Sequence, residues 1–343
     1  MKKPIVVIKF GSASITTNGE LDEQVVSEIA RQVAVLHNDY NIVLVSSGAV
    51  AAGKKYIKGY KGTLIQRKAA AAIGNPLLLQ IYSKYFEPYK LAIAQSLCER
   101  GHFSNRDQFL QLKKTYEELW KSDIIPVANE NDVVSNLELK FSDNDELATL
   151  IAVGFGAEQV LFSTSVPGVL DAEGNVVPEL KVIDKEALSL ARTDKSSVGL
   201  GGMTSKLNFA RLATQMGIKA VIFGVRTEDG ILKSIKGETG TVCHPQAKKI
   251  SSRNKWLASG SLISGAVTVD EGAEKALEKR RSLLAVGVKS VIRDFEPGEV
   301  FQILNEKNLV VAIAKAKIDS KTLKLTESKQ NLELAHADDI VLV

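Results

Sequence analysis

Short apolar runs alternate with longer amphipathic stretches over the first 240 or so residues of the chain. The apolar runs predict six strands, at Ile5–Phe10, Ile42–Val45, Leu91–Ala94, Ile124–Val127, Gln159–Phe162 and Lys219–Phe223. Apolar residues spaced three and four positions apart predict five helices, at Leu21–Leu36, Arg67–Phe86, Arg106–Trp120, Glu146–Gly154 and Met203–Met216. Short strands that alternate with helices are typical of a mainly parallel sheet with helices on both faces. The pattern therefore predicts an α/β fold, a three-layer αβα sandwich built on that sheet.

The periodicity changes near residue 250. The stretch Lys248–Lys255, KKISSRNK, is basic and polar, and it predicts a linker. The residues beyond it predict a small, mostly β module, with a short helix and three strands at Glu271–Arg280, Val286–Val291, Gly298–Leu304 and Leu309–Lys315. We therefore predict two domains, residues 1–247 and 259–343, joined by a linker at residues 248–258.

Composition excludes several classes of protein. With 45% hydrophobic and 24% charged residues in 343, the chain is an ordinary globular sequence. The net charge of +4 is mild and does not by itself indicate a nucleic-acid partner. Cys98 and Cys243 suit a reducing cytoplasm, and the histidines and cysteines show no zinc-ligand spacing. The first apolar run is interrupted at Lys9 and no run reaches membrane-spanning length, so we expect a cytoplasmic protein without a membrane span.

Polar residues and glycines collect where the predicted strands end. Lys9-Phe10-Gly11-Ser12 closes the first strand, and Ser46-Ser47-Gly48-Ala49 closes the second and leads into a helix start. Ligands of parallel sheets lie at the carboxyl ends of the strands, and hydroxyl and N–H groups at a helix start favour anions. Each segment alone is equally consistent with a solvated lysine or an ordinary helix cap.

A second glycine-rich segment, Gly199–Lys206, precedes a predicted helix. It follows a polar stretch and not a strand, which argues against a Rossmann dinucleotide site, and the chain has no Walker A motif. Lys206 lies one turn into the helix and can reach back towards a phosphate. Lys9 and Lys206 together indicate two cations on one phosphoryl group, the charge neutralisation that phosphoryl transfer requires.

The segment Val127–Ala148, VANENDVVSNLELKFSDNDELA, concentrates carboxylates and carboxamides directly after a predicted buried strand. Such a concentration indicates a charged or polar ligand. The alternative is a solvated loop in which Ser142 or Asp143 caps the next helix. A calcium-binding EF-hand is excluded, because Leu147 stands where that loop needs a ligand.

Taken together, these motifs resemble the glutamate 5-kinase family of the amino acid kinase superfamily. The matching segments are KFGSAS at Lys9–Ser14, SSGAVAAG at Ser46–Gly53, NEND at Asn129–Asp132, DND at Asp143–Asp145 and GGMTSK at Gly201–Lys206. The downstream segments Val267–Ala273 and Gly287–Val291 resemble a PUA domain. The resemblance implies the amino acid kinase fold followed by a small PUA-like domain.

The resemblance also implies an activity, the ATP-dependent phosphorylation of the side-chain carboxylate of L-glutamate to L-glutamyl 5-phosphate, the first step towards proline. It implies that Lys9 and Lys206 stabilise the transferring phosphoryl group and that Asp145 orients both lysines. The implied glutamate-binding residues are Ser47, Asp132 and Asn144, with Asn129 nearby. The implied nucleotide-binding residues are Lys9, Thr164, Ser165, Leu200, Gly201, Gly202, Met203, Thr204, Ser205 and Lys206.

Further expectations follow from the resemblance alone. Mg²⁺ accompanies ATP, held largely by phosphate oxygens and water and by no predicted protein side chain. Proline acts as a feedback inhibitor, and the chain forms a dimer or tetramer. The sequence departs from the family at Ser165, where an acidic residue is usual, and at Leu200, where threonine is frequent.

Two alternatives stay open at this point. One is a related kinase that forms an acyl phosphate on N-acetylglutamate or aspartate, which the Asn129–Asp132 motif and the C-terminal module disfavour. The other is an RNA-binding PUA protein with a degenerate kinase domain. The retained Lys9, Lys206 and Asp145 oppose degeneration, and the mild net charge opposes strong nucleic-acid binding, although the role of the PUA-like module is open.

Overall fold

The computed structural model describes residues 3–104, 106–134, 144–190, 202–246, 263–297, 299–306, 308–325 and 332–342. The chain divides into two compact units, residues 1–99 with 111–249 and residues 100–110 with 250–343. The domain bounds of 1–247 and 259–343 stay a prediction.

An eight-stranded sheet organises the first unit. Its spatial order is β5-β6-β4-β1-β7-β9-β10-β8, and the neighbours from β5 to β9 are all parallel. The strands of this unit, including the small hairpin of β2 and β3, are β1 Ile5–Phe10, β2 Thr16–Thr17, β3 Glu20–Leu21, β4 Asn41–Ser46, β5 Ala92–Cys98, β6 Ile124–Glu130, β7 Gln159–Thr164, β8 Glu179–Leu180, β9 Lys219–Gly224 and β10 Thr241–Cys243. The six predicted strands and the mainly parallel sheet are therefore confirmed.

Helices connect the strands, as parallel pairing requires. They are α1 Ser12–Ile15, α2 Glu23–Leu36, α3 Ala49–Gly53, α4 Leu64–Phe86, α5 Gly101–Ser104, α6 Arg106–Lys121, α7 Asn144–Phe155, α8 Lys185–Leu190, α9 Met203–Gln215 and α10 Gly230–Lys236. The five predicted helices are confirmed, with ends that differ by a few residues. Among the described residues, no helix is both long and apolar enough to cross a membrane.

Helix α2 shows how the sequence sets these elements. The Asp22 side chain accepts a hydrogen bond from the backbone N–H of Val25, which satisfies one of the unpaired donors at the helix start. Val26, Ile29 and Val33 recur at helical spacing on the buried side of the helix. They join the core beneath the sheet, so the apolar spacing fixes which face of the helix is buried.

Alternation along the central strands sends neighbouring residues to opposite faces of the sheet. Lys9 of β1 is level with Val45 of β4, and Phe10 is level with Ser46. Phe10 packs in the core that α2 and α4 share, and Ser46 Oγ lies 2.9 Å from the hydroxyl oxygen of Tyr82 on α4. Lys9 therefore points to the other face, where α7 packs.

Helices α3 and α4 touch at two glycines. A Cβ on Gly53 would lie 1.9 Å from the carbonyl oxygen of Ala70, and a Cβ on Gly74 would lie 1.7 Å from that of Ala49. Real Cβ atoms do not approach a backbone oxygen that closely, so both positions require glycine. This contact fixes the next residue of α4, Asn75, against the carboxyl end of the sheet.

The second unit contains a mostly β body. Its elements are β11 Ile263–Val269, α11 Glu271–Glu278, β12 Leu283–Leu284, β13 Val288–Arg293, β14 Val300–Leu304, β15 Val310–Lys315, α12 Ser320–Leu325, β16 Glu333–Ala335 and β17 Ile340–Leu342. Five strands form a sheet in the order β13-β11-β14-β15-β17, and β12 pairs with β16. Phe295 and Phe301 stack in its core with ring centroids 4.7 Å apart. The predicted small, mostly β module is confirmed.

We expect Gly74→Ala to lower the free energy of unfolding by about 3 kcal/mol or more, because the new methyl group overpacks the contact between α3 and α4. Urea unfolding followed by circular dichroism measures this. Ala72→Ser, on the exposed side of the same helix, is the control and should change stability by no more than about 0.5 kcal/mol. Equal free energies of unfolding for the two variants would show that α3 and α4 can move apart without loss of stability.

Candidate active site

Two lysines converge on one buried carboxylate. The ammonium nitrogen of Lys9 lies 2.5 Å from Oδ1 of Asp145, and that of Lys206 lies 3.1 Å from Oδ2. The Asp145 side chain is fully buried, and the two lysine side chains are 4% and 7% exposed. Residues 9, 145 and 206, far apart in the sequence, therefore form one cluster that carries one excess positive charge.

The cluster holds Asp145 in its ionised form. Burial alone would raise the pKa of this carboxyl, but the charges and hydrogen bonds of Lys9 and Lys206 outweigh burial and hold its pKa below the ordinary value of 3.8. The carboxylate in turn fixes the positions of both ammonium groups. A fixed pair of cations at the edge of a sheet is suited to stabilising an anion whose charge grows during a reaction.

Three elements supply the cluster. Lys9 is the penultimate residue of β1, and Asp145 lies in the first turn of α7, where the helix dipole favours an anion. Lys206 lies in the first turns of α9, behind Gly202, whose extended backbone precedes the helix. The backbone N–H of Lys206 donates to the carbonyl of Gly202. The start of the helix therefore fixes the backbone position from which the Lys206 side chain extends.

A chain of side-chain amides lies beside the cluster. Asn144 Nδ2 donates to Ser47 Oγ at 2.8 Å and to Asn129 Oδ1 at 2.9 Å. Asn129 Nδ2 donates to Asn75 Oδ1 at 3.0 Å. Asn129 is 4% exposed and Asn75 is 4% exposed. We call Asn75, Asn129 and Asn144 the amide relay. It brings together three of the predicted glutamate-binding residues, Ser47, Asn129 and Asn144.

Sequence reasoning missed Asn75. The residue interrupts an otherwise apolar helix, AAAAIGNPLLL, and is followed by Pro76. A lone carboxamide in such a stretch is a signal of a buried polar contact, since a buried amide needs hydrogen-bond partners. The pattern does not indicate which strand it faces, because that depends on the glycine contact between α3 and α4.

Ser47 is positioned by the turn that follows β4. Its backbone N–H donates to the carbonyl of Phe10 at 3.0 Å, which ties the ends of β4 and β1 together. Gly48 has φ of 108°, in the left-handed region, and a Cβ there would lie 2.9 Å from Cδ1 of Ile15. Glycine is therefore required at the start of α3, and it allows the Ser47 hydroxyl to face Asn144.

The other predicted site residues are distributed around the same edge. Asp132 is half-buried in the turn after β6. Thr164 ends β7 and is half-buried, and Ser165 follows it and is exposed. Met203, Thr204 and Ser205 open α9 behind Gly202. Leu200 and Gly201 of the predicted nucleotide loop lie outside the described residues, as do Ser142 and Asp143, the predicted helix caps.

A buried pair of lysines is suited to phosphoryl transfer, and the comparison with known families indicates the same class of protein. Residues 4–224 match the model of the amino acid kinase family, and residues 265–337 match that of the PUA domain. The chain belongs to the amino acid kinase family.

Its similar relatives are glutamate 5-kinases. The protein of that name from Haemophilus influenzae (strain PittGG) is 32% identical over 100% of both chains. The one from Teredinibacter turnerae is 36% identical over 98% of this chain and 96% of its own length. The one from Thermotoga maritima is 36% identical over 89% of this chain and 86% of its own. The resemblance drawn from the motifs is confirmed.

Solved structures agree on the fold. The carbamate kinase from Giardia lamblia superposes with a TM-score of 0.51 and 17% identity, covering 71% of this chain and 99% of that one. Another structure of that protein, bound to AMP-PNP, has a TM-score of 0.51 at 16% identity. At this identity the likeness shows the amino acid kinase fold and nothing about the substrate.

We expect Asp145→Asn to lower the free energy of unfolding by about 3–5 kcal/mol at pH 7, because it leaves two buried ammonium groups without a counter-charge. A carboxyl whose pKa is lowered by folding stabilises the protein above pH 3.8, and this contribution disappears as the pH falls through the folded-state pKa. The stability gap between the two proteins should therefore narrow below pH 3.8.

Urea unfolding at pH 7 and at several values below pH 4 measures the difference in unfolding free energy between the parent and Asp145→Asn. Asp39→Asn is the matched control, since Asp39 is exposed, and it should stay within about 0.5 kcal/mol of the parent. A gap for Asp145→Asn that did not depend on pH would contradict the assigned ion pairs.

Proposed function

We propose that the chain is an ATP-dependent kinase that transfers the γ-phosphoryl group of ATP to the side-chain carboxylate of L-glutamate and forms L-glutamyl 5-phosphate, the first step of proline biosynthesis. The buried cluster of Lys9, Asp145 and Lys206 carries the proposal. Full-length relatives named glutamate 5-kinases support the choice of substrate.

The proposed reaction needs no protein nucleophile. An oxygen of the glutamate side-chain carboxylate attacks the γ-phosphorus in line, the bond from phosphorus to the bridging oxygen breaks, and ADP leaves. Negative charge on the transferring oxygens is neutralised by the ammonium groups of Lys9 and Lys206. Asp145 holds both lysines in place, so little reorganisation is needed when the transition state forms.

The amide relay and its neighbours are proposed to hold the amino acid. Asn144 and Ser47 lie next to the cluster, since Asn144 immediately precedes Asp145 in α7. Asn129 joins them through its hydrogen bond with Asn144. Asp132, in the turn after β6, is proposed to face the substrate ammonium as an opposite charge.

The nucleotide is proposed to lie across the ends of β7 and α9. Thr164 and Ser165 are proposed to contact it on one side, and Gly202 to Lys206 on the other. Leu200 and Gly201 are proposed as further contacts from the sequence alone. Mg²⁺ is proposed to enter with ATP, held by phosphate oxygens and water. Each oxygen of Asp145 contacts an ammonium group, and the proposal assigns Asp145 to holding the lysines and not to holding the metal. We further propose a cytoplasmic homo-oligomer inhibited by proline.

Two other functions fit the observations less well. Phosphorylation of N-acetylglutamate or aspartate would use the same cluster, and the full-length matches to glutamate 5-kinases favour glutamate. RNA binding through the PUA domain with an inactive kinase unit conflicts with the intact cluster, because two lysines fixed on one carboxylate are the arrangement a working site needs.

The substrate is tested by incubating the purified protein with ATP, Mg²⁺ and hydroxylamine, which traps acyl phosphates as hydroxamates. We expect hydroxamate to form with L-glutamate and to be at least about tenfold lower with N-acetylglutamate or L-aspartate. ADP release measured in parallel reports the same turnover. Absence of ATP-dependent hydroxamate with glutamate would refute the proposal.

We expect Lys9→Ala to reduce kcat by about 100-fold or more, since one of the two cations at the transferring phosphoryl group is lost. Circular dichroism checks that the variant is folded. Lys121→Ala removes a lysine that is 70% exposed on α6 and should leave kcat unchanged. A Lys9→Ala protein with parental kcat would remove Lys9 from the mechanism.

A further inference from the structure

The amide relay has a fixed direction. The backbone N–H of Glu130 donates to Asn129 Oδ1 at 2.9 Å, and a backbone N–H is always a donor. The other heteroatom of the Asn129 amide is therefore the NH₂ group. This group donates to Asn75, so the atom of Asn75 that it contacts is the acceptor Oδ1. By the same logic the Asn144 atom that meets Asn129 Oδ1 is the donor Nδ2. One backbone group thus determines the orientation of three side-chain amides.

Each end of the relay carries a buried polar atom without a hydrogen-bond partner in the described part of the chain. At one end it is Asn75 Nδ2, a donor, and at the other it is Asn144 Oδ1, an acceptor. Buried polar atoms in native proteins are normally satisfied, and an unsatisfied pair at a binding site indicates the ligand that satisfies it. A ligand with an acceptor for Asn75 and a donor for Asn144 would satisfy both atoms. An α-amino acid has both, a carboxylate and an ammonium group.

The two ends of the relay differ in their distance from the phosphoryl-transfer cluster. Asn144 is adjacent to Asp145 in sequence. Asn129 lies on β6, two strands from Lys9 on β1, about 10 Å at ordinary strand spacing. Asn75 lies beyond Asn129, on the face of the sheet opposite to Lys9. A carboxylate at Asn75 is therefore not the one that accepts the phosphoryl group.

From these observations we infer that Asn75 Nδ2 binds the α-carboxylate of the amino acid substrate and makes this residue a determinant of specificity. The inference rests on the proposed function, because it takes the substrate to be an amino acid with a second, reacting carboxylate. It assigns a direct substrate contact to a helix residue outside the sequence motifs that define the site.

The test is Asn75→Asp, which keeps the oxygen that accepts from Asn129 and replaces the donor Nδ2 by an acceptor. Binding of three ligands is measured by titration calorimetry and competition at pH 8, with a non-hydrolysable ATP analogue present. The ligands are L-glutamate, glutarate, which lacks the ammonium group, and 4-aminobutyrate, which lacks the α-carboxylate. The pH of 8 is far above the ordinary pKa of aspartate, so the introduced side chain is ionised and cannot donate a hydrogen bond to the substrate.

We expect Kd for glutamate and glutarate to rise about 10- to 100-fold in Asn75→Asp, the effect of a lost hydrogen bond to a charged group together with repulsion. Kd for 4-aminobutyrate should not change, because this ligand has no α-carboxylate to lose a contact. An equal rise in Kd for all three ligands would mean that Asn75 acts through the amide relay, and it would overturn the inference. Unchanged Kd values for all three ligands would overturn it as well.

Two further variants complete the design. If Asn75→Asp does not fold, Asn75→Ala removes the donor without burying a charge. It also removes the oxygen that accepts from Asn129, and a larger rise in Kd for glutamate and glutarate than for 4-aminobutyrate is again the expected result. Gln32→Glu is the matched control: Gln32 is a 1% exposed amide that accepts from the N–H of Ile231 at the start of α10, away from the relay. It should leave all three Kd values unchanged.

A protein that binds glutamate but forms no hydroxamate would refute the proposed function. The difference in Kd between ligands with and without an α-carboxylate could still be measured in the Asn75 variants.

Discussion

A single buried carboxylate shared by two ammonium groups is the interaction on which the site depends. Burial alone would raise the pKa of Asp145, and the two lysines more than compensate. Removing Asp145 leaves two ammonium groups without a counter-charge away from water. Because β1, α7 and α9 each supply one member of the cluster, it assembles only when all three elements are in place, which couples formation of the site to formation of the fold.

The parallel sheet explains how the remaining groups reach the same edge. Successive residues of β1 point to opposite faces, so Lys9 meets α7 while Phe10 packs against α2 and α4. Asn144 begins α7 at the carboxyl edge and hydrogen-bonds to both Ser47 and Asn129. The site thus lies across the carboxyl edge of the sheet, with the lysines and Asn144 on the α7 side and Asn75 on the α4 side.

Much of this arrangement is predictable from the sequence, for reasons that are local. Strand and helix positions follow from apolar periodicity. Lys9, Asp145 and Lys206 stand out because each lies at the end of a strand or the start of a helix, beside glycine or carboxamide residues. Asn75 was not predictable as a site residue, because its position depends on an approach between helices. That approach is set by Gly53 and Gly74, because a side chain at either position would collide with the carbonyl of Ala70 or of Ala49.

The proposed binding mode has a consequence for substrate length. If the reacting carboxylate lies at the lysines and the other carboxylate at Asn75, the substrate must span the distance between these two points. Aspartate is one methylene shorter than glutamate, so in this binding mode it would satisfy one end and leave the other unpaired. An unpaired buried polar group costs more than the methylene itself. In this binding mode the distance is set by the backbone of the sheet, which a side-chain substitution does not shorten, so the fold itself would select for the length of the amino acid.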